Sequence, residues 1–561
     1  MEREGAVNAS EARPGGARGA DRRALALLLL CGALLFLWRL GAHDLWPPDE
    51  PRFGLVAREM RVRGDAVVLS LNDALYTDKP PLFFWAINGF ALLRGGVDEW
   101  AARLPSAASG ILSLLLILRL GTRIYDRRTG LLAALVFATA PQIVERARWA
   151  SIDMTLNLLV LGAILCLWRA RERSEAAASA HRLAWILMGL ATLAKGPIGA
   201  LLPLLAILPV LLLERDFRAV RRLFLPSGVL LYLAVTLAWL VPWALRVGPM
   251  EALGIVWHQN AERYVHAWNN QQPVWYYLWR FPAGFVPWIL FLPAAVAQAF
   301  SAEERERRPA ATFLVTWIAA ILLFFSFSTG KRGVYIIPLY PAASLLVGRL
   351  LERAAARDGE DDDPAGTAPG ARARRRCRAP LVLWAGLAAI LAASLPYVVR
   401  RRAPDLVPAA AGAGGLLLAG AILALLAARH GRCMGAAGPL VGSLAAAILL
   451  VVAAVLPWVD RYENLRGFAE QVRAHLRPEI PFGTTEQKRE AWVFYTGRFA
   501  EALDTDAGVI DYLSRLGTCD LVIEDRRLGE LRNRLPGGLT VLVRGRVAGQ
   551  DYDLLRKGAS R

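Results

Sequence analysis

The residues best suited to chemistry in this 561-residue chain are acids and cations gathered between long apolar blocks. Asp49-Glu50-Pro51-Arg52 follows the first block directly. Two acids and an arginine at a membrane boundary are costly when buried without partners, which gives them functional weight. The plainer reading is a solvated helix start, because acids and proline favour a first helical turn. Tyr76-Thr77-Asp78-Lys79-Pro80-Pro81 precedes a short apolar stretch, 82–93. A lysine beside a helix N-terminus can hold a phosphate together with free backbone N–H groups; an ordinary Pro-Pro helix start is the alternative. Arg146, Arg148 and Asp153 lie between two apolar blocks on the expected exported side, against the usual charge bias. Contact with a phosphate or headgroup accounts for them, and so does snorkelling at helix ends. His258, Glu262, Arg263, Tyr264 and His266 stand among six tryptophans and tyrosines between 257 and 279, an interfacial belt by composition. Two histidines are too few for a metal site without carboxylates from elsewhere. Ser328-Thr329-Gly330-Lys331-Arg332-Gly333-Val334-Tyr335 has Gly-x-x-Gly and a lysine, but not the spacing of a phosphate-binding Walker loop. An exported basic turn of this kind suits a lipid phosphate.

These residues need elements to hold them. Of the chain, 55% is hydrophobic, and the apolar residues come in blocks. A spanning helix needs roughly 20 mostly apolar residues, and the blocks amount to about thirteen spans. They run approximately over 24–41, 104–122, 131–144, 153–169, 183–194, 197–213, 225–245, 282–300, 311–328, 335–350, 380–399, 406–427 and 437–457. The net charge of +18 sits largely in short loops on one side, which orients a membrane protein and argues against nucleic acid. Arg400-Arg401-Arg402 is the exception, placed outside by this count. The pattern puts the N-terminus in the cytoplasm and the C-terminus outside, in a multi-pass inner-membrane protein.

Residues 1–23 read as a disordered cytoplasmic lead, 24–350 as the main membrane domain and 351–379 as a flexible cytoplasmic linker. Further spans follow over 380–457, and 458–561 reads as a small exported α/β domain. Its expected strands include Trp492-Val493-Phe494-Tyr495, Leu521-Val522-Ile523 and Leu539-Thr540-Val541-Leu542-Val543, with helices over 463–476 and 506–516. The exported loops are 42–103 and 246–281; in the first, 50–63 fits an amphipathic helix on the membrane surface, and 82–93 a half-inserted one. The five cysteines have no metal-type spacing and only Cys519 lies in a plausible exported domain, so no disulfide framework is expected.

Taken in order, several motifs make a more specific pattern. Asp49-Glu50-Pro51-Arg52-Phe53, Gly64-Asp65, Tyr76-Thr77-Asp78-Lys79-Pro80-Pro81-Leu82 and Ala101-Ala102-Arg103-Leu104-Pro105-Ser106 open it. Arg148-Trp149-Ala150-Ser151-Ile152-Asp153-Met154, Ala194-Lys195-Gly196-Pro197, Gln272-Pro273-Val274-Trp275-Tyr276-Tyr277 and Phe325-Ser326-Phe327-Ser328-Thr329-Gly330-Lys331 continue it. The set resembles the bacterial aminoarabinose transferases and protein O-mannosyltransferase-like glycosyltransferases over roughly 25–350. The resemblance implies a GT-C fold: an all-α polytopic membrane protein with exported juxtamembrane helices, to which the small C-terminal α/β domain is added. It implies Asp49 as catalytic base and Asp153 as a second functional acid. Arg52, Tyr76, Lys79, Arg148, Lys331 and Tyr335 fall where the donor phosphate is held, with Glu50, Arg263 and Tyr264 as further substrate-side residues. Asp78 stands where the family carries Glu, and with His258 it resembles a tentative pair for a divalent metal, which the chemistry does not require.

The expected activity is therefore an inverting hexosyl or pentosyl transferase. The partners would be a polyprenyl-phosphate sugar donor, a glycolipid, glycan or protein acceptor of the envelope, and membrane lipids. A lipid-linked sugar flippase and a non-catalytic envelope assembly protein are the alternatives; transporters place their ionisable groups near the midplane and often repeat their halves, neither of which is seen here.

Overall fold

The computed structural model describes residues 14–171, 176–259, 270–355, 371–429, 433–485 and 488–558. From the N-terminus come α1 (Pro14–Leu37), α2 (Asp49–Arg63), the hairpin β1 (Ser70–Leu71) and β2 (Ala74–Leu75), α3 (Leu82–Ala91) and α4 (Glu99–Ile124). Then follow α5 (Arg127–Ala138), α6 (Pro141–Ala147), α7 (Ile152–Ala170), α8 (Ala176–Lys195), α9 (Ile198–Leu213), α10 (Phe217–Leu223), α11 (Pro226–Val247) and α12 (Pro249–Trp257). α13 (Tyr276–Phe285), α14 (Trp288–Ala299), α15 (Arg308–Phe327), α16 (Tyr340–Ala355), α17 (Ala371–Arg400), α18 (Val407–Arg429) and α19 (Cys433–Glu463) complete the apolar part.

The apolar blocks of the sequence are helical, two of them broken by a sharp bend, and aspartates mark several starts. Asp98, Asp126 and Asp216 accept from Ala101, Thr129 and Ala219 N–H groups, satisfying first-turn donors that have no partner inside a helix. Among the described residues, nine helices are long and apolar enough to cross a bilayer. The number is eleven if two bent pairs, α5–α6 at 70° and α13–α14 at 101°, each make one span. α1 and the 16-residue α9 are the other two segments of the expected set and lie outside that test. Close crossings use glycine, as membrane bundles do: a Cβ on Gly121 of α4 would stand 2.5 Å from Gly130 Cα of α5.

At one end of this bundle Glu304 is 1% exposed and paired with Arg349 and Arg353, while Arg349 also reaches Asp126 at 2.7 Å. The start of α5, the turn before α15 and the body of α16 are thus tied together by charge. The other end carries α2, α3 and the C-terminal domain.

That domain consists of α20 (Leu465–His475), β3 (Phe482–Thr484), α21 (Arg489–Thr496), β4 (Glu501–Ala502), α22 (Asp506–Arg515), β5 (Cys519–Glu524), α23 (Asp525–Leu531), β6 (Leu539–Val547) and β7 (Gln550–Lys557). The strand order is β4-β3-β5-β7-β6, with β3 parallel to β4 and β5, and the other pairs antiparallel. The expected strand at Trp492–Tyr495 is instead the body of α21. All of Ala491, Trp492, Val493 and Phe494 are buried, so a run of apolar residues carried no period to separate helix from strand. Gly497, with φ 70°, ends the helix.

A second correction concerns α2, read above as a surface helix. Phe53, Leu55, Val56, Ala57 and Met60 are buried in one core with Phe83 and Ile87 of α3 and Phe468, Trp492 and Phe494 of the C-terminal domain. α2 is thus sandwiched rather than floating.

Candidate active site

The first turn of α2 sends its two acids in different directions. Glu50 is fully buried and accepts from Arg103 of α4 at 2.7 and 2.8 Å, from Trp46 N–H at 3.0 Å and from Ala150 N–H at 2.8 Å. Arg103, equally buried, spends its remaining donors on the Leu40, His43 and Asp44 carbonyls. A buried ion pair survives only where all its lone pairs and protons are met, and here they are. Glu50 is therefore no substrate residue: it locks the loop after α1 to α4.

Asp49 is left facing a cavity of 840 Å³. Its carboxylate accepts from Arg52 at 3.0 Å and from Arg332 at 2.7 Å. Burial pushes the carboxyl up, but Arg332, Arg52 and Arg146 together outweigh that and hold it below the usual carboxylate range. Tyr76, Asp78, Lys79, Arg146, Asp153, Lys195, Arg332 and Tyr335 line the same space. Lys195, at the end of α8, is paired with Asp153 at the start of α7, which also accepts from the Ser151 hydroxyl at 3.3 Å. The Lys195 ammonium lies 4.6 Å from the centre of the Tyr335 ring. Arg52 stands behind this wall, between Asp49 and Asp78, 3.6 Å from the latter. Most of the remaining lining is apolar, including Leu156, Leu193, Leu201, Trp239, Leu240, Trp243 and Phe325.

Besides Arg52, two expected phosphate-binding residues point elsewhere. Arg148 is buried and donates to the Leu35 and Trp38 carbonyls at 3.0 and 2.9 Å, closing off the end of α1. Burial, with help from Arg103, lowers its pKa to about 10. Residues two apart at a helix end point to nearly opposite sides, so the arginine that reaches the cavity is Arg146. Lys331 is likewise buried, donating to the Gln272 carbonyl at 2.8 Å and to the Ser328 carbonyl. Arg332 has extended backbone, φ −129° and ψ 146°, so its side chain projects away from its neighbour's and into the cavity.

His258 closes α12 and is exposed. Asp78, its expected metal partner, accepts from the Gln259 amide at 3.3 Å and faces Arg52, donors that compete with a cation for its oxygens. Among the described residues no group of three or more His, Cys, Asp or Glu forms a metal-ligand set. Arg263 and Tyr264 lie outside the described residues, as do Glu262 and His266. Arg146 was named from sequence for phosphate or headgroup contact, but the roles of Arg103, Lys195 and Arg332 were not singled out there. The usable signal was their position: cations beside Pro, Gly or helix ends next to apolar runs.

Residues 78–244 match the family model described as dolichyl-phosphate-mannose-protein mannosyltransferase. Over 340 residues the chain is 34% identical to the undecaprenyl phosphate-alpha-4-amino-4-deoxy-L-arabinose arabinosyl transferase of Pseudomonas aeruginosa, covering 59% of this chain and 60% of that protein. The corresponding transferase of Erwinia tasmaniensis is 32% identical over 334 residues, 57% of this chain and 58% of its own length. The crystal structure of ArnT from Cupriavidus metallidurans bound to undecaprenyl phosphate superposes with a TM-score of 0.81 at 25% identity, over 97% of this chain and 99% of that one. The chain shares the fold of the aminoarabinose transferases. The resemblance read from its motifs is borne out, and so are the helical membrane fold and the added C-terminal sheet domain. The apolar helices and the likeness to these transferases make it a multi-pass membrane protein. The chain spans about 60% of the length of the curated relatives it matches.

Proposed function

We propose that the protein is an inverting glycosyltransferase of the inner membrane that takes a sugar from an undecaprenyl-phosphate-type donor. The acceptor would be an envelope molecule of lipid A type, another glycan or a protein. The cavity lies on the exported face, with the N-terminus cytoplasmic and the C-terminal domain outside.

One observation carries this reading: a single cavity joins a carboxylate, Asp49, to four cations, Lys79, Arg146, Lys195 and Arg332, and to a long apolar wall. A polyprenyl chain suits the wall and its phosphate suits the cations. In the transfer, an acceptor oxygen bonds to the anomeric carbon while the bond from that carbon to the phosphate oxygen breaks. The leaving phosphate gains one negative charge, and preformed cations in a dry site stabilise such developing charge by several kcal/mol. The acceptor proton passes to Asp49. A carboxylate held at low pKa is a weak base, yet it suffices, because the acceptor O–H becomes strongly acidic once its oxygen bonds to the sugar. Asp153, held by Lys195, would orient the sugar or the leaving group.

The test is transfer by the purified protein in lipid nanodiscs. Undecaprenyl-phosphate-linked 4-amino-4-deoxy-arabinose and lipid A are supplied, and products are read by mass spectrometry. A gene deletion with envelope glycan and lipid profiling runs beside it. Gain of a sugar mass on an acceptor, lost with Asp49→Asn, is expected. Donor trapped on the cytoplasmic leaflet of the deletion strain, with no transfer by the purified protein, would overturn the assignment in favour of a flippase.

A further inference from the structure

The sandwiched position of α2 bears on what the C-terminal domain is for. α2 has 15 residues and turns one face to an open cavity. Helices of that length are marginal on their own in water, so its placement depends on what packs against its other faces. At 100° per residue, Arg58 stands half a turn round from Asp49, on the opposite side, and Gly54 lies one turn before Arg58.

That opposite side meets the tip of α21. The Arg58 guanidinium donates to the Phe494 carbonyl and lies 3.8 Å from the centre of the Phe494 ring; a second donor reaches the Val97 carbonyl at 3.2 Å. Gly54 allows the approach, since a Cβ there would stand 2.9 Å from the Phe494 ring. Two flanking contacts act on the same segment. Leu45 N–H donates to the Tyr495 hydroxyl at 2.7 Å, just before Asp49. Asn72, just after α2, exchanges hydrogen bonds with the Ala500 backbone at 2.6 and 3.2 Å. The C-terminal domain therefore grips this segment before, within and after the helix that carries Asp49 and Arg52.

We propose that the exported domain is part of the catalytic unit, with Arg58 a positioning residue: through Phe494 of α21 it seats α2 so that Asp49 meets Arg332 at the cavity. Arg58 touches no substrate and acts only through α2. The inference rests on the transferase reading above.

The test uses the full-length protein in nanodiscs with the variants Arg58→Gln, Arg58→Lys and Asn72→Ala, and Arg526→Gln on the far side of the domain as control. A loosened α2 lowers kcat by about tenfold or more, as small misplacements do, while undecaprenyl phosphate affinity stays within about twofold of the unaltered protein. Asp49 faces Arg332 and Arg146 only when α2 is seated, so the acid limb of kcat/KM moves up in pH in Arg58→Gln. Arg58→Lys keeps one donor and recovers part of the loss; Arg526→Gln changes nothing. Unaltered kcat and acid limb in folded Arg58→Gln and Asn72→Ala would overturn the proposal. Should Arg58→Gln fail to fold, Arg58→Lys and Asn72→Ala decide by the same readouts. Full activity in Asp49→Asn would overturn the transferase base itself; an inactive Asp49→Asn beside a fully active Arg58→Gln overturns the positioning role alone.

Discussion

Asp49 sits under opposed pressures, with burial raising its carboxyl and three arginines lowering it further than burial lifts it. An ordinary aspartate titrates near ~3.9. A base held below that stays charged as the pH falls, so the acid limb of kcat/KM belongs below that value. Arg332→Gln removes the strongest opposing charge and leaves burial in place, which moves the limb upward; a pH–rate profile of the two proteins reads it. Asp49→Asn loses the proton acceptor and lowers kcat by about 10²–10⁴-fold, while binding of undecaprenyl phosphate, measured by titration, is kept or strengthened because a nearby negative charge has gone. The pair Arg146 and Arg148 gives a sharper contrast. Arg146→Ala empties the cavity of one cation and weakens donor binding with little change in melting. Arg148→Ala leaves the Leu35 and Trp38 carbonyls without their donors, a loss of about 1–3 kcal/mol each way of counting, and lowers the thermal midpoint with the cavity lining intact.

At the scale of elements, α4 and α5 are pressed together where Gly121 meets Gly130. Gly121→Leu forces the helices apart, and the expected outcome is a large fall in folded yield on detergent extraction, with Gly121→Ala milder. The membrane helices were legible because twenty apolar residues leave a bilayer few alternatives, and the motifs marked which loops matter. What was not legible was direction. Arg148 and Lys331 each sit within two residues of the cation that lines the cavity, and only the local backbone decides which side chain faces in. Glu50 beside Asp49 is the same case, since spacing along the chain says nothing of Arg103 waiting in α4. α21 was misread for a related reason, since it is buried on several faces and no polar side betrays its period, whereas α2 was legible as a helix and misread only in what covers it.

Across the whole molecule, one apolar core runs from α3 through α2 into the C-terminal sheet. Trp492 is fully buried in it, and Trp492→Ala is expected to cost about 3–5 kcal/mol. The loss should register in the domain and in transfer activity together, seen as coincident changes in proteolysis and kcat. A domain hung loosely on the last helix would lose the first and keep the second. The Glu50–Arg103 lock has a further consequence, for biogenesis. Glu50 precedes its partner by 53 residues, and the carbonyls of Leu40, His43 and Asp44 that take up the other guanidinium protons precede it by 63, 60 and 59. When α4 leaves the ribosome, Arg103 is a charge bound for full burial, and every atom that neutralises it has already been made. Insertion of the fourth helix is thus conditional on correct placement of the first loop, and a chain altered at Glu50 would be discarded during synthesis before any question of catalysis arose.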